Sequence, residues 1–288
     1  MIDVDQIVYL NGKFLPVADA QVSVLDRGFI YGDGVYELVP VYDRQPFRLP
    51  HHLARLKRSM DGIGLVNPHT DAQWEAIIRD LVARQSFADQ GVYFQVTRGV
   101  AKRDHAFPKD VSPTVFMMSN PLATPTREQV DNGVAVVTAD DNRWHRCDLK
   151  TISLLGNVLM RQLAAERGAV ETVMFRDGFL TEASASNVLI VRDGTIIVPP
   201  KDNLILPGVT YDATMEFARD IGVPLSVRPV PRAEALAADE MWLSSSTKEV
   251  LAITTVDGQP FGGGRPGPVF RRMWAEFQAR KPHAMAPA

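Results

Sequence analysis

The chain has 288 residues, 45% hydrophobic and 23% charged, which suits a globular fold with a full-sized core. A net charge of −3 leaves no global basic field to recruit nucleic acid or an anionic membrane. No apolar run reaches the roughly 20 residues of a membrane span, the start Met1–Asp5 lacks the basic and apolar regions of a signal peptide, and the single Cys147 has no internal disulfide partner, so a cytoplasmic protein is expected.

The elements are expected as follows. Ile7–Leu10 and Lys13–Leu15 flank Asn11-Gly12, a type I′ hairpin signal. A strand is expected over Tyr36–Tyr42. A helix starts near Leu49-Pro50, because proline suits the first turn, and carries Leu53, Leu56, Met60 and Ile63 at helical spacing. Thr70 with Gln73 forms a capping-box pattern ahead of a second helix with Trp74, Ile77, Ile78, Leu81 and Val82 on one stripe. Strands at Val92–Arg98 and Thr114–Met118 follow. The two prolines between Pro121 and Thr126 mark a linker.

The second half opens with a strand at Val134–Thr138, then a helix from Leu154 to Arg167 stopped by Gly168. Strands at Thr172–Arg176, Val188–Val191 and Thr195–Val198 are punctuated by Asp177-Gly178 and Asp193-Gly194. A helix runs from Val209 to Ile221 and stops at Gly222. Strands at Met241–Leu243 and Val250–Val256 precede a last helix, Pro268–Arg280, with Val269, Phe270, Met273, Trp274 and Phe277 on one face. The fold class expected is α+β in two α/β domains. A small N-terminal domain covers 1–120, a linker 121–126, a larger cofactor-binding domain 127–282, and a disordered tail 283–288.

Several short segments carry possible chemistry. Lys150 lies in Leu149-Lys150-Thr151-Ile152. A lysine amine in an apolar setting is freed to condense with an aldehyde, although a surface lysine at a strand end fits the same segment. Glu182 sits between two expected strands, where Ser184, Ser186 and Asn187 are available as donors to a buried carboxylate; a polar loop fits equally. Leu206-Pro207-Gly208-Val209-Thr210 opens a helix whose exposed amides suit a phosphate, or it is an ordinary cap. Ser244–Thr247 at a strand end offers hydroxyls, or a plain turn. Arg55 on a leucine-rich helix, Tyr36 on a strand, and Arg103 and His105 in a long loop are each as readily ordinary surface or strand residues. Arg103 has the planar fork that suits a carboxylate. Walker A, Gly-x-Gly-x-x-Gly and Gly-x-Ser-x-Gly patterns are absent. Gly262-Gly263-Gly264 reads as a flexible link, and His51-His52 lacks a third ligand at zinc spacing, so no metal is expected.

In their order, these segments resemble the fold-type IV pyridoxal-phosphate enzymes over nearly the whole chain. The blocks Arg27–Glu37, Tyr93–Gly99 and Arg146–Lys150 are most similar to the D-amino-acid aminotransferases of that group. The resemblance implies a larger domain built on a barrel-like sheet, pyridoxal 5′-phosphate as cofactor, and a Schiff base on Lys150, which also shuttles a proton. It implies that Glu182 pairs with the pyridine nitrogen and that Leu206 packs on the ring. Arg55, Val209, Thr210 and Ser246 would hold the phosphate, with Ser245 close by. Tyr36, Arg103 and His105 would bind the substrate carboxylate, the last two from the partner subunit, so a homodimer with its active site at the subunit interface is implied. The activity implied is transamination between a D-amino acid and a 2-oxo acid. (R)-amine and branched-chain aminotransferases and aminodeoxychorismate lyase are the alternatives. Ala185 stands where a serine is common, and Ser246 where a threonine is found.

Overall fold

A computed structural model describes residues 5–281; the expected tail lies outside the described residues. The chain divides into two compact units. Of the described residues, the first comprises 5–122 together with Leu149–Ser153, and the second Ala123–Asp148 together with 154–281. Among the described residues no helix is long and apolar enough to cross a membrane.

The first unit contains β1 (Ile7–Leu10), β2 (Lys13–Pro16), α1 (Arg27–Tyr31), β3 (Gly34–Tyr42), β4 (Gln45–Pro46), α2 (Leu49–Gly62), α3 (Asp71–Ala83), β5 (Gln90–Thr97) and β6 (Thr114–Pro121). The hairpin turn has positive φ at both Asn11 (47°) and Gly12 (91°), as a type I′ turn requires, which fixes the Leu10–Lys13 register. One sheet runs β2-β1-β6-β5-β3-β4. Leu53, Leu56 and Met60 of α2 and Trp74, Ile78 and Leu81 of α3 bury against Val35, Val39, Val92, Phe94 and Met117 of that sheet. Each such side chain contributes about 1.5–3 kcal/mol by leaving water. The capping box at Thr70 and Gln73 is formed in both directions, so α3 starts where its sequence says.

The second unit contains α4 (Arg127–Asn132), β7 (Val134–Asp140), α5 (Leu155–Glu166), β8 (Glu171–Arg176), β9 (Phe179–Ala183), β10 (Asn187–Arg192), β11 (Thr195–Val198), α6 (Val209–Asp220), β12 (Leu225–Val227), α7 (Arg232–Leu236), β13 (Glu240–Ser245), β14 (Glu249–Val256), β15 (Gln259–Pro260) and α8 (Pro268–Arg280). Its sheet runs β12-β11-β10-β13-β14-β7-β8-β9, with β15 on β14. It curls until β9 returns against β10. Helices α5 and α6 both end in a left-handed glycine. Gly168 N–H donates to Ala165 O and Ala169 N–H to Ala164 O, and Gly222 N–H donates to Arg219 O and Val223 N–H to Ala218 O.

Two sequence expectations need correction. Glu182 lies inside β9 rather than in a loop, because Phe179–Ala183 pairs with β8 after the Asp177-Gly178 turn. Gly262–Gly264 is a short 3-10 turn, with Gly262 N-terminal to two further positive-φ glycines, rather than a free link. Pro121 is the last residue of β6, and Thr126 caps α4 through a second capping box.

Candidate active site

In the first unit, Lys150 belongs to a segment that extends the sheet beside β3. Tyr36 N–H donates to Lys150 O at 2.9 Å, Ile152 N–H donates to Gly34 O at 3.0 Å, and Thr151 bridges Val35. Lys150 N–H also donates to Ser59 Oγ of α2 at 3.1 Å. This backbone grip leaves the side chain half-buried, with Nζ 4.1 Å from the Tyr36 ring centroid. Tyr36 packs against Tyr93 with ring centroids 5.6 Å apart, and Tyr93 donates to Gln95 Oε1 at 2.7 Å. Burial beside Tyr36 pushes the Tyr93 hydroxyl up to about 12, so it remains a donor.

Arg55 lies in the same unit, buried. Its Nε and Nη2 donate to Glu37 at 2.7 and 2.8 Å, and His52 Nδ1 shares Glu37 at 2.8 Å. Burial opposes the Glu37 charge, but Arg55 and His52 outweigh it and hold the carboxyl well below its usual range. Arg103 and His105 are exposed in the single chain and flank the Tyr31 ring, with centroid distances of 5.5 Å and 5.4 Å.

In the second unit, Glu182 is buried and fully engaged. Its Oε1 accepts from Arg143 Nη1 at 2.7 Å, and its Oε2 accepts from Leu206 N–H at 3.0 Å and Asn187 Nδ2 at 3.2 Å. Burial pushes its carboxyl up, and Arg143 and the Leu206 amide oppose the rise. Arg143 in turn clasps Asp141 through Nε and Nη2, both at 2.9 Å. Of the three donors expected for Glu182, Asn187 serves it. Ser184 and Ser186 serve Glu171 instead, because the turn after β9 folds over the start of β8 where Glu171 stands.

Asn187 also donates to Leu206 O at 2.8 Å and pairs with Ser244 across β10 and β13. The entry to α6 is thereby held beside the end of β13, where Ser245 and Ser246 lie. The starts of α6 and α8 differ. The N-terminus of α8 is capped by Glu240, which accepts from Val269 and Phe270 N–H at 2.9 and 2.8 Å. The N-terminus of α6, at Gly208-Val209-Thr210, has no side-chain cap. The buried Ser244 hydroxyl close by has no hydrogen-bond partner. An uncapped helix start and an orphaned hydroxyl together make a donor set fitted to an anion such as a phosphate.

Sequence reasoning missed Arg143, Glu37, His52, Glu171 and Lys248 as members of these networks. Only His52 carried a signal, as one of two adjacent histidines, a pair that suggests a metal ligand rather than a partner for a carboxylate.

Residues 34–256 match the family described as Amino-transferase class IV. The chain belongs to the class IV aminotransferase family. This aminotransferase is 37% identical over 271 residues to a D-alanine aminotransferase of Bacillus licheniformis, covering 94% of this chain and 95% of that protein. Its structure is similar to a T.th. branched-chain amino acid aminotransferase solved with pyridoxamine 5′-phosphate (TM-score 0.90, 24% identity, 97% and 96% of the two chains). It is also similar to the fold IV-transaminase CpuTA1 from Curtobacterium pusillum (TM-score 0.81, 26% identity, 96% and 94%). The fold is that of the fold-type IV aminotransferases, with the curled sheet of the second unit as its large domain.

Proposed function

We propose that this aminotransferase uses pyridoxal 5′-phosphate to exchange an amino group between a D-amino acid and a 2-oxo acid, and that it works as a homodimer. The 37% identity to a D-alanine aminotransferase across 94% of the chain carries the reading. The donor sets of the two units support it. When bound, the cofactor supplies an electron sink for the α-carbon of the substrate.

Lys150 Nζ would be the point of attachment and, when free, the base that takes the α-proton of the substrate and carries it. The Tyr36 ring beneath the amine limits where that amine goes. Glu182, clasped by Arg143, Asn187 and Leu206, would face the ring nitrogen of the bound cofactor, and Leu206 would pack on its ring. Val209 and Thr210 at the uncapped start of α6, with Ser246 and Ser245 in the turn after β13, would hold the phosphate, and the resemblance assigns Arg55 to the same group. Tyr36 binds the substrate carboxylate with Arg103 and His105 supplied by the partner subunit, which selects the face of the α-carbon turned to Lys150. In the single chain Val24, Phe29 and Phe107 of the first unit are 71%, 76% and 61% exposed, an apolar surface consistent with a second copy.

Absorbance spectra of the purified protein before and after D-alanine test the reading, with L-leucine and (R)-1-phenylethylamine as competing donors and 2-oxoglutarate as acceptor. D-alanine should bleach the aldehyde-bound band and turnover should require the oxo acid. Turnover without an oxo acid would instead indicate a lyase. Arg103→Ala should raise KM for D-alanine on the order of a hundredfold, since a charge-assisted fork is lost, with little change for the simple amine. Equal losses for both donors would remove the carboxylate role.

A further inference from the structure

Glu171 opens β8 and is fully buried. It accepts from Ser184 Oγ at 3.0 Å, from Ala185 N–H at 2.6 Å and from Ser186 Oγ, and its Oε1 lies 2.7 Å from Lys248 Nζ. Three of these donors belong to the turn immediately after Glu182. The fourth comes from the turn between β13 and β14, the turn that carries Ser245 and Ser246. The Lys248 side chain is 20% exposed, where a turn lysine ordinarily leaves its ammonium in water. Lys248 N–H also donates to Ser245 Oγ at 3.2 Å, so that oxygen is engaged as an acceptor and its hydrogen is left to donate elsewhere.

We propose that Glu171 and Lys248 form a positioning clamp that ties the Ser245–Ser246 turn to the turn behind Glu182, and so sets the hydroxyls against the cofactor phosphate. The clamp rests on the pyridoxal-phosphate reading above and deepens it. Its two halves are separable. Removing the Lys248 ammonium leaves Glu171 three donors, so the turn after Glu182 stays in place while the β13–β14 turn loses its tie. Removing the Glu171 charge releases both turns.

The test uses the full chain stripped of cofactor, titrated by absorbance with pyridoxal 5′-phosphate and, separately, with pyridoxal, which has the same ring and aldehyde and no phosphate. Melting temperatures are recorded in parallel. Lys248→Met should weaken binding of the phosphorylated compound roughly tenfold to a hundredfold, about what one hydrogen bond to a charged group is worth. It should leave pyridoxal affinity unchanged. Lys248→Arg, which keeps the charge, should recover most of the loss, and Glu171→Gln should weaken both compounds. A parallel fall for both compounds in Lys248→Met would show a general structural role and overturn the clamp. So would wild-type preference for the phosphate persisting intact in Lys248→Met. A wild-type protein that binds neither compound would overturn the cofactor reading itself, and the clamp with it.

Discussion

Glu37 brings three titratable side chains into one buried cluster. Arg55 forks onto both of its oxygens and His52 shares one of them, all within 2.8 Å. Burial pushes the His52 imidazole down; Glu37 pulls it back up, and Arg55 and Lys150 add to the depression. Its folded-state pKa is therefore below the unfolded one, and so is that of Glu37. Groups shifted this way stabilise the fold above their unfolded pKa and lose that contribution as pH falls. For His52 the loss starts near pH 6.5, and for Glu37 near 4.3, the ordinary values of the two groups. Urea unfolding across that range should show stability falling with acidity, and His52→Gln should flatten the limb between about pH 6.5 and 5. An unchanged limb would mean His52 titrates alike in both states. Arg143 poses a sharper case, since it neutralises Asp141 and Glu182 together in a buried setting. Arg143→Met should cost about 3–5 kcal/mol by stranding buried carboxylates. Adding Glu182→Gln should cost less than the sum, because one of the two carboxylates that lost Arg143 no longer carries a charge. Additive costs in that double-mutant cycle would deny the coupling.

Helix starts divide into closed and open ones, and the difference is local chemistry. Capping boxes close α3 and α4, and the carboxylate of Glu240 closes α8. Gly208 opens α6 with φ −70°, where any residue fits the backbone, yet a Cβ there would run into Asn187 Oδ1. Since Asn187 holds both Leu206 and Glu182, Gly208→Ala should weaken cofactor binding several-fold to tenfold and also lower the melting temperature, as displaced Asn187 leaves buried groups unpaired. Gly222→Ala is the complementary control. Its φ is 70° with open space around it, so it should cost about 1 kcal/mol of stability and leave cofactor affinity alone. Thermal melting should therefore fall in both variants, while cofactor titration should change only in Gly208→Ala. The same contrast explains what the sequence revealed. Asn11-Gly12, the Thr70 capping box and the Pro268 helix start carry their instructions within four residues, and all three stand where expected. The five-residue helices α1 and α7 are too short to show a period. β9 holds Thr181-Glu182-Ala183, which lacks the apolar alternation of a strand and is made one by pairing with β8.

Across the whole molecule, the residues proposed to touch the cofactor could be read from one chain because they stand in recognisable blocks. The groups holding them could not, since Arg143 reaches Glu182 across 39 positions and Arg55 reaches Glu37 across 18, and no local pattern records such pairs. The proposed homodimer makes the strongest demand, because it assigns Arg103 and His105 to a neighbour's carboxylate site. In the single chain both are exposed and lie against Tyr31, whose buried hydroxyl has no hydrogen-bond partner. Lys150→Ala and Arg103→Ala should each be nearly inactive toward D-alanine. Unfolded together and refolded, they should form mixed dimers. In a mixed dimer one site lacks both residues and the other combines an intact Lys150 with an intact Arg103 from the opposite subunit. Random assembly should then restore about a quarter of wild-type turnover, because half the dimers are mixed and half their sites complete. If each site instead drew Lys150 and Arg103 from one chain, every site in the mixture would lack one of them. Activity would stay at the average of the two parents, and the dimeric carboxylate site would be excluded.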